Sequence, residues 1–175
     1  MTTVIAARDS VAPAPWEPRI VVFACNWCSY AGADTAGVSR IQHQPNFRMI
    51  RVMCSGRIQP GFVFRAFEKG ADGVLVSGCH FGDCHYIFGN ERAVEQFEKT
   101  MRVVKLLGID EGRLRLEWIS AAEGVRFAQV IDEFTDQIRA LGPSPLMVVD
   151  REVGADPEAD PEVDREKEML RCSSS

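Results

Sequence analysis

Thiols and imidazoles crowd one stretch of this chain, Val76-Ser-Gly-Cys79-His80-Phe-Gly-Asp-Cys84-His85, and two earlier stretches share its layout. Cys25-Asn-Trp-Cys28 follows the apolar run Ile20–Ala24, and Cys54-Ser-Gly-Arg57 follows Met49-Ile-Arg-Val-Met53. Five of the six cysteines thus lie just past the end of an apolar run. Thiolates are soft ligands, and four of them suit zinc or an iron–sulfur cluster. Five candidates exceed the four that a cluster of two irons takes. Four of Cys25, Cys28, Cys54, Cys79 and Cys84 are therefore expected to ligate, with the fifth beside them.

Other thiol chemistries fit less well. Zinc ribbons pair two C-x-x-C motifs, whereas only the first pair here has that spacing. A dithiol oxidoreductase places its C-x-x-C at the start of a helix, and Ser29-Tyr-Ala-Gly32 carries no helical pattern. A nucleotide-binding first turn is glycine-rich, unlike Ala24-Cys-Asn-Trp-Cys28. A cysteine hydrolase needs one thiol and a base, not five thiols. Around the cysteines, Gly32, Gly56, Gly78 and Gly82 let backbone amides approach sulfur. Arg57 can offset cluster charge, and His80 and His85 are expected to hydrogen-bond to the ligands or touch a partner. Trp27 and Tyr30 would shield the site or line a docking face. His43 reads as a loop residue and Cys172 as a surface thiol.

The elements that must bring these residues together are strands. Ile20–Ala24, Arg48–Met53 and Gly73–Ser77 are short apolar runs of the parallel, doubly covered kind, and Arg113–Ile119 alternates like an edge strand. Cys25–Thr35 reads as a loop, with Asp34-Thr35 capping a short helix that runs to about Gln42. Pro60 opens a helix that ends at Gly70, with Phe62, Val63, Ala66 and Phe67 on one face. Asn90 caps another, carrying Val94, Phe97, Met101 and Val104. Ser120 and Glu123 form a capping box for a third, with Val125, Ala128, Ile131, Phe134 and Ile138 inward. This β-α alternation predicts a flavodoxin-like (Rossmann-like) α/β fold: a parallel sheet of about four strands, ordered 2-1-3-4, with helices on both faces. Its C-terminal strand edge, where open α/β sheets hold ligands, would gather all five thiols.

The organisation expected is an N-terminal arm over 1–19, an iron–sulfur α/β domain over 20–142 and an acidic extension over 143–175. Nine acidic and four basic residues fall in the extension, while the other 142 residues carry sixteen of each sign. Neither part has the basic face that nucleic acid requires. No apolar run is long enough to span a membrane. Met1–Glu17 lacks the basic-then-apolar order of a secretory signal, so clustered thiols in a reducing, cytoplasmic setting are expected.

Longer motifs add a resemblance. Cys-Asn-Trp-Cys at 25–28, Ala-Gly-Ala-Asp-Thr-Ala-Gly at 31–37 and Arg-Val-Met-Cys-Ser-Gly-Arg at 51–57 stand in one chain with three more. These are Gly-Ala-Asp-Gly-Val at 70–74, Gly-Cys-His-Phe-Gly-Asp-Cys-His-Tyr at 78–86 and Leu-Glu-Trp-Ile-Ser-Ala at 116–121. From about Trp16 to Pro143 the sequence resembles the delta (iron–sulfur) subunit family of methyl-viologen-reducing, or F420-non-reducing, hydrogenase. The resemblance implies a [2Fe-2S] protein of anaerobic metabolism with no turnover of its own. It would pass single electrons between a donor such as hydrogenase or formate dehydrogenase and a flavin-containing heterodisulfide-reductase A-like subunit, in complexes that include electron-bifurcating ones. The acidic extension departs from the family's usual pattern. The alternative function is a structural zinc-binding interaction module.

Overall fold

The computed structural model describes residues 16–146. The expected arm through Pro15, the acidic extension beyond Leu146 and Cys172 lie outside the described residues.

Four parallel strands, β1 (Ile20–Cys25), β2 (Phe47–Val52), β3 (Gly73–Gly78) and β4 (Leu114–Trp118), form one sheet in the order β2-β1-β3-β4. The two central strands are the continuous apolar runs, because both of their faces are covered. Helices α1 (Ser29–Val38) and α4 (Gly124–Leu141) lie on one face and α2 (Pro60–Glu68) and α3 (Gly89–Leu106) on the other. The first layer buries Val22, Ala24 and Leu75 under Phe127, Ile131 and Phe134. The second buries Phe23, Val74 and Val76 under Val63, Phe67 and Val104. Pro60 stands in the first turn of α2, and Gly70, at φ 87°, ends it. The α/β architecture and strand order are those expected.

Local readings fail where packing, not pattern, decides. Cys25–Thr35 is not a loop: α1 begins at Ser29, with Cys28 as its N-cap. Its buried residues are Ser29, Gly32 and Ala36, so it shows no apolar stripe. Small side chains let it approach α4 closely. A Cβ on Gly32 would stand 2.7 Å from the Ser120 carbonyl oxygen, and one on Gly124 would stand 2.8 Å from the Ala36 nitrogen. Both obstacles are backbone, which cannot rotate aside. Gly32→Ala is therefore expected to lower stability by about 1–3 kcal/mol, read as a fall in denaturant midpoint with unchanged slope. Two residues assigned to inward faces, Phe62 and Val125, are exposed.

Candidate metal centre

Strand register carries the cysteines to one edge. Ala24 lies opposite Ser77, so Cys25 and Cys79 follow one and two positions later; Val52 pairs with Cys25, and Cys54 follows two positions after it. The Cys25 and Cys79 sulfurs are 3.6 Å apart, and Cys28 packs in the same buried cluster. These three thiols are buried together, with Cys84 packed against them. Cys54 and Cys84 are half-buried and interact with each other. The set is thus a buried trio joined to a more accessible pair. Among the described residues, no three Cys, His, Asp or Glu side chains close on a single ion.

Backbone amides supply positive charge to this sulfur-rich edge. The N–H groups of Trp27, Cys28 and Ser55 point at Cys25, and that of Gly56 at Cys54. The hydrogen bond from Cys79 lowers the Cys25 thiol to about 6, while sharing that proton pushes Cys79 upward. Burial raises Cys28 and Cys54. Contrary to expectation, the C-x-x-C does open a helix, with Cys28 as the cap. Cys25, the thiol that would have to attack a substrate disulfide, is 1% exposed and its sulfur lies against that of Cys79, which is what disfavours dithiol exchange.

Gly89, at the start of α3, completes the floor. A Cβ there would overlap the Cys54 sulfur and stand 3.0 Å from the Cys84 sulfur. The next residue, Asn90, is not the cap expected of it. It is buried in the first helical turn, donates through Nδ2 to the His80 carbonyl at 2.9 Å, and reaches the Cys79 carbonyl at 3.4 Å. It fixes the loop that carries the thiols. Neither role has a sequence signal beyond the position of a Gly-Asn pair directly after the cysteine loop.

The imidazoles turn to other work. His80 Nε2 lies 2.7 Å from Glu123 Oε2, which also accepts the Ser120 N–H at 2.7 Å. The expected capping box is not formed, because α4 begins at Gly124 with Glu123 as its N-cap; the Glu123 carboxylate instead closes the preceding turn on the Ser120 N–H and ties it to the cysteine loop through His80. His85 stacks on Trp27 with ring centroids 3.8 Å apart, closing the first cysteine loop against the third. Tyr30 lies under the Arg51 guanidinium, and Arg57 is exposed beside Cys54 at the end of the 3₁₀ turn Ser55–Arg57. His43 packs against Phe47 and Phe127.

The Ser120 amide, followed by His80, holds Glu123 down at about 2 against an ordinary value of 4.5. A depressed carboxyl stabilises the fold above its unfolded value and loses that contribution as pH falls through the folded one. The stability gap between wild type and Glu123→Gln is therefore expected to be full above about pH 4.5 and gone near pH 2. Acid titrations of the two proteins followed by circular dichroism check this.

The donor set fits a soft metal centre: five thiols meet, amides face them, and a side chain is missing where sulfurs converge. The class of protein is thus an α/β domain with one parallel sheet that gathers five cysteines at its carboxyl edge. The chain belongs to the family of the methyl-viologen-reducing hydrogenase delta subunit, whose profile matches residues 20–142. It is 52% identical over 131 residues to the D iron–sulfur subunit of the vhc F420-non-reducing hydrogenase of Methanococcus voltae, covering 75% of this chain and 91% of that protein. Identity is also 52% over 128 residues to the D iron–sulfur subunit of the F420-non-reducing hydrogenase of Archaeoglobus profundus, covering 73% and 93%. It is 50% over 136 residues to the A subunit of the ferredoxin/F(420)H(2)-dependent CoB-CoM heterodisulfide reductase of Methanosarcina acetivorans. That match covers 78% of this chain and 17% of the larger protein. No helix among the described residues is long and apolar enough to cross a membrane.

Proposed function

We propose that this chain is a [2Fe-2S] electron-transfer subunit of a larger oxidoreductase complex. The observation that carries the reading is the meeting of five thiols at one sheet edge as a trio and a pair. In this reading, residues 20–142 are the cluster domain. Cys54 and Cys84 hold one iron, and two of Cys25, Cys28 and Cys79 hold the other. Such a centre accepts and returns one electron at a time.

The residues around it have separable tasks. The amides of Trp27, Cys28, Ser55 and Gly56 stabilise negative charge on sulfur, which raises the potential of a thiolate centre. The Trp27–His85 stack holds the first cysteine loop against the third. Asn90 and the His80–Glu123 tie hold the third loop still, so ligand positions shift little with charge. The relatives' names support a hydrogenase on one side and a heterodisulfide-reductase A-like subunit on the other; formate dehydrogenase as another donor, and a flavin in the A-like subunit, are what the family resemblance adds. The setting is cytoplasmic and anaerobic, and electron-bifurcating assemblies are natural hosts.

Anaerobic purification followed by visible and electron paramagnetic resonance spectra, before and after dithionite, tests the reading. A red-brown protein with about two irons and an S = 1/2 signal on reduction is expected. Colourless protein with stoichiometric zinc, unchanged by reconstitution with iron and sulfide, would replace it with the zinc-binding module.

A further inference from the structure

We infer that the Cys54–Cys84 side of the site is the docking face for a redox protein whose surface presents carboxylates around an apolar projection. This deepens the electron-transfer reading above and rests on it.

The two sides of the thiol set differ sharply. Cys25, Cys28 and Cys79 are buried, whereas an open cavity of about 670 Å³ begins at Cys54 and Gly89. Met53, Phe62, Tyr86 and Phe88 give it apolar walls, and Arg57 and Arg92 add charge. Phe88 is 56% exposed and the adjoining Ile87 is 72% exposed. Exposed aromatic and aliphatic side chains grouped with arginine are the composition of interface centres.

Backbone conformation points the same way. Ile87 has φ 68°, a left-handed conformation unfavourable for a β-branched residue. Its N–H is held by the Cys84 carbonyl at 2.9 Å, so the turn that closes the ligand loop also pushes this side chain into solvent. Strain of this kind concentrates at binding loops.

Charge selects the partner. Among the described residues neither Arg57 nor Arg92 pairs with a carboxylate, and both stand on the wall of this cavity. Two free guanidinium groups beside an apolar hollow favour an acidic rim, and they repel a basic one. Direct access to Cys54 then gives the electron a short path through the ligand thiol.

The test uses the cluster-loaded full chain and two reductants. One is a reduced ferredoxin with an acidic surface; the other is reduced methyl viologen, a small cation that needs no docking face. Stopped-flow bleaching is followed for wild type, Arg92→Gln and Arg92→Glu over a range of salt. The ferredoxin rate is expected to fall with salt in wild type, to drop roughly fivefold or more in Arg92→Glu and to drop less in Arg92→Gln. The methyl viologen rate should not fall. A ferredoxin rate within about twofold of wild type in Arg92→Glu, or a wild-type rate that rises with salt, overturns the docking face. An Arg92-dependent dimer in sedimentation velocity would give the face to a second copy and overturn it too. Failure of methyl viologen to reduce wild type would sink the electron-transfer reading, and this inference with it.

Discussion

Gly89→Ala is expected to lose its iron while keeping its fold. The added carbon would overlap the Cys54 sulfur and stand 3.0 Å from the Cys84 sulfur, so at least one thiol must leave its place. Cys54 can turn toward the open cavity, which relieves the clash without moving backbone. Metal–ligand distances tolerate only about 0.2 Å, and a displaced sulfur fails that limit. Retained iron should fall by roughly tenfold or more, the scale seen when groups supporting metal ligands are lost. The backbone does not oppose the change, because Gly89 stands at the first position of α3 and is not in the left-handed conformation that only glycine takes readily. Melting followed by circular dichroism, alongside iron and sulfide assays, separates the two effects. Gly32→Ala provides the mirror case, a weaker fold with its iron retained. Full iron in Gly89→Ala would mean that Cys54 and Cys84 do not both ligate.

The second large effect concerns individual thiols. Replacing Cys54 or Cys84 with serine should abolish the cluster in either case, because that pair has no third thiol to substitute. Within the trio the outcome should be uneven: one serine variant keeps about two irons per chain, and the other two lose them. Cys25 receives three backbone N–H groups, which favour its thiolate and make it a poor choice for the dispensable position. Iron and sulfide counts on five single variants decide the matter. Equal loss in all five would remove the division into a trio and a pair. A variant at Cys54 or Cys84 that keeps full iron would do the same.

These expectations draw unequally on sequence and on structure. The strand–cysteine junctions were legible because a doubly covered strand leaves an unbroken apolar run, and the next residues must lie at the sheet edge. The parallel alignment followed from the β-α alternation, and the strand order is the one expected. Helix α1 was not legible, since its buried residues are Ser29, Gly32 and Ala36 and their smallness erases the periodic stripe. Gly89 escaped notice, and Asn90 was read only as a helix cap, for another reason. Their importance lies in contacts with residues far along the chain, Cys54 for one and the Cys79–His80 carbonyls for the other. His80 shows the converse, a residue singled out for ligand chemistry whose bond is to Glu123. Nothing local to His80 announces a carboxylate 43 residues away.

The crossovers that return β1, β2 and β3 to the same edge have a consequence in time. Parallel neighbours need a long connection between them, and such pairings are slow to form. During synthesis Cys25 and Cys28 emerge first, yet they stay unpaired until β3 docks beside β1 and brings Cys79. How long these sulfurs stand apart therefore depends on how quickly the parallel sheet closes.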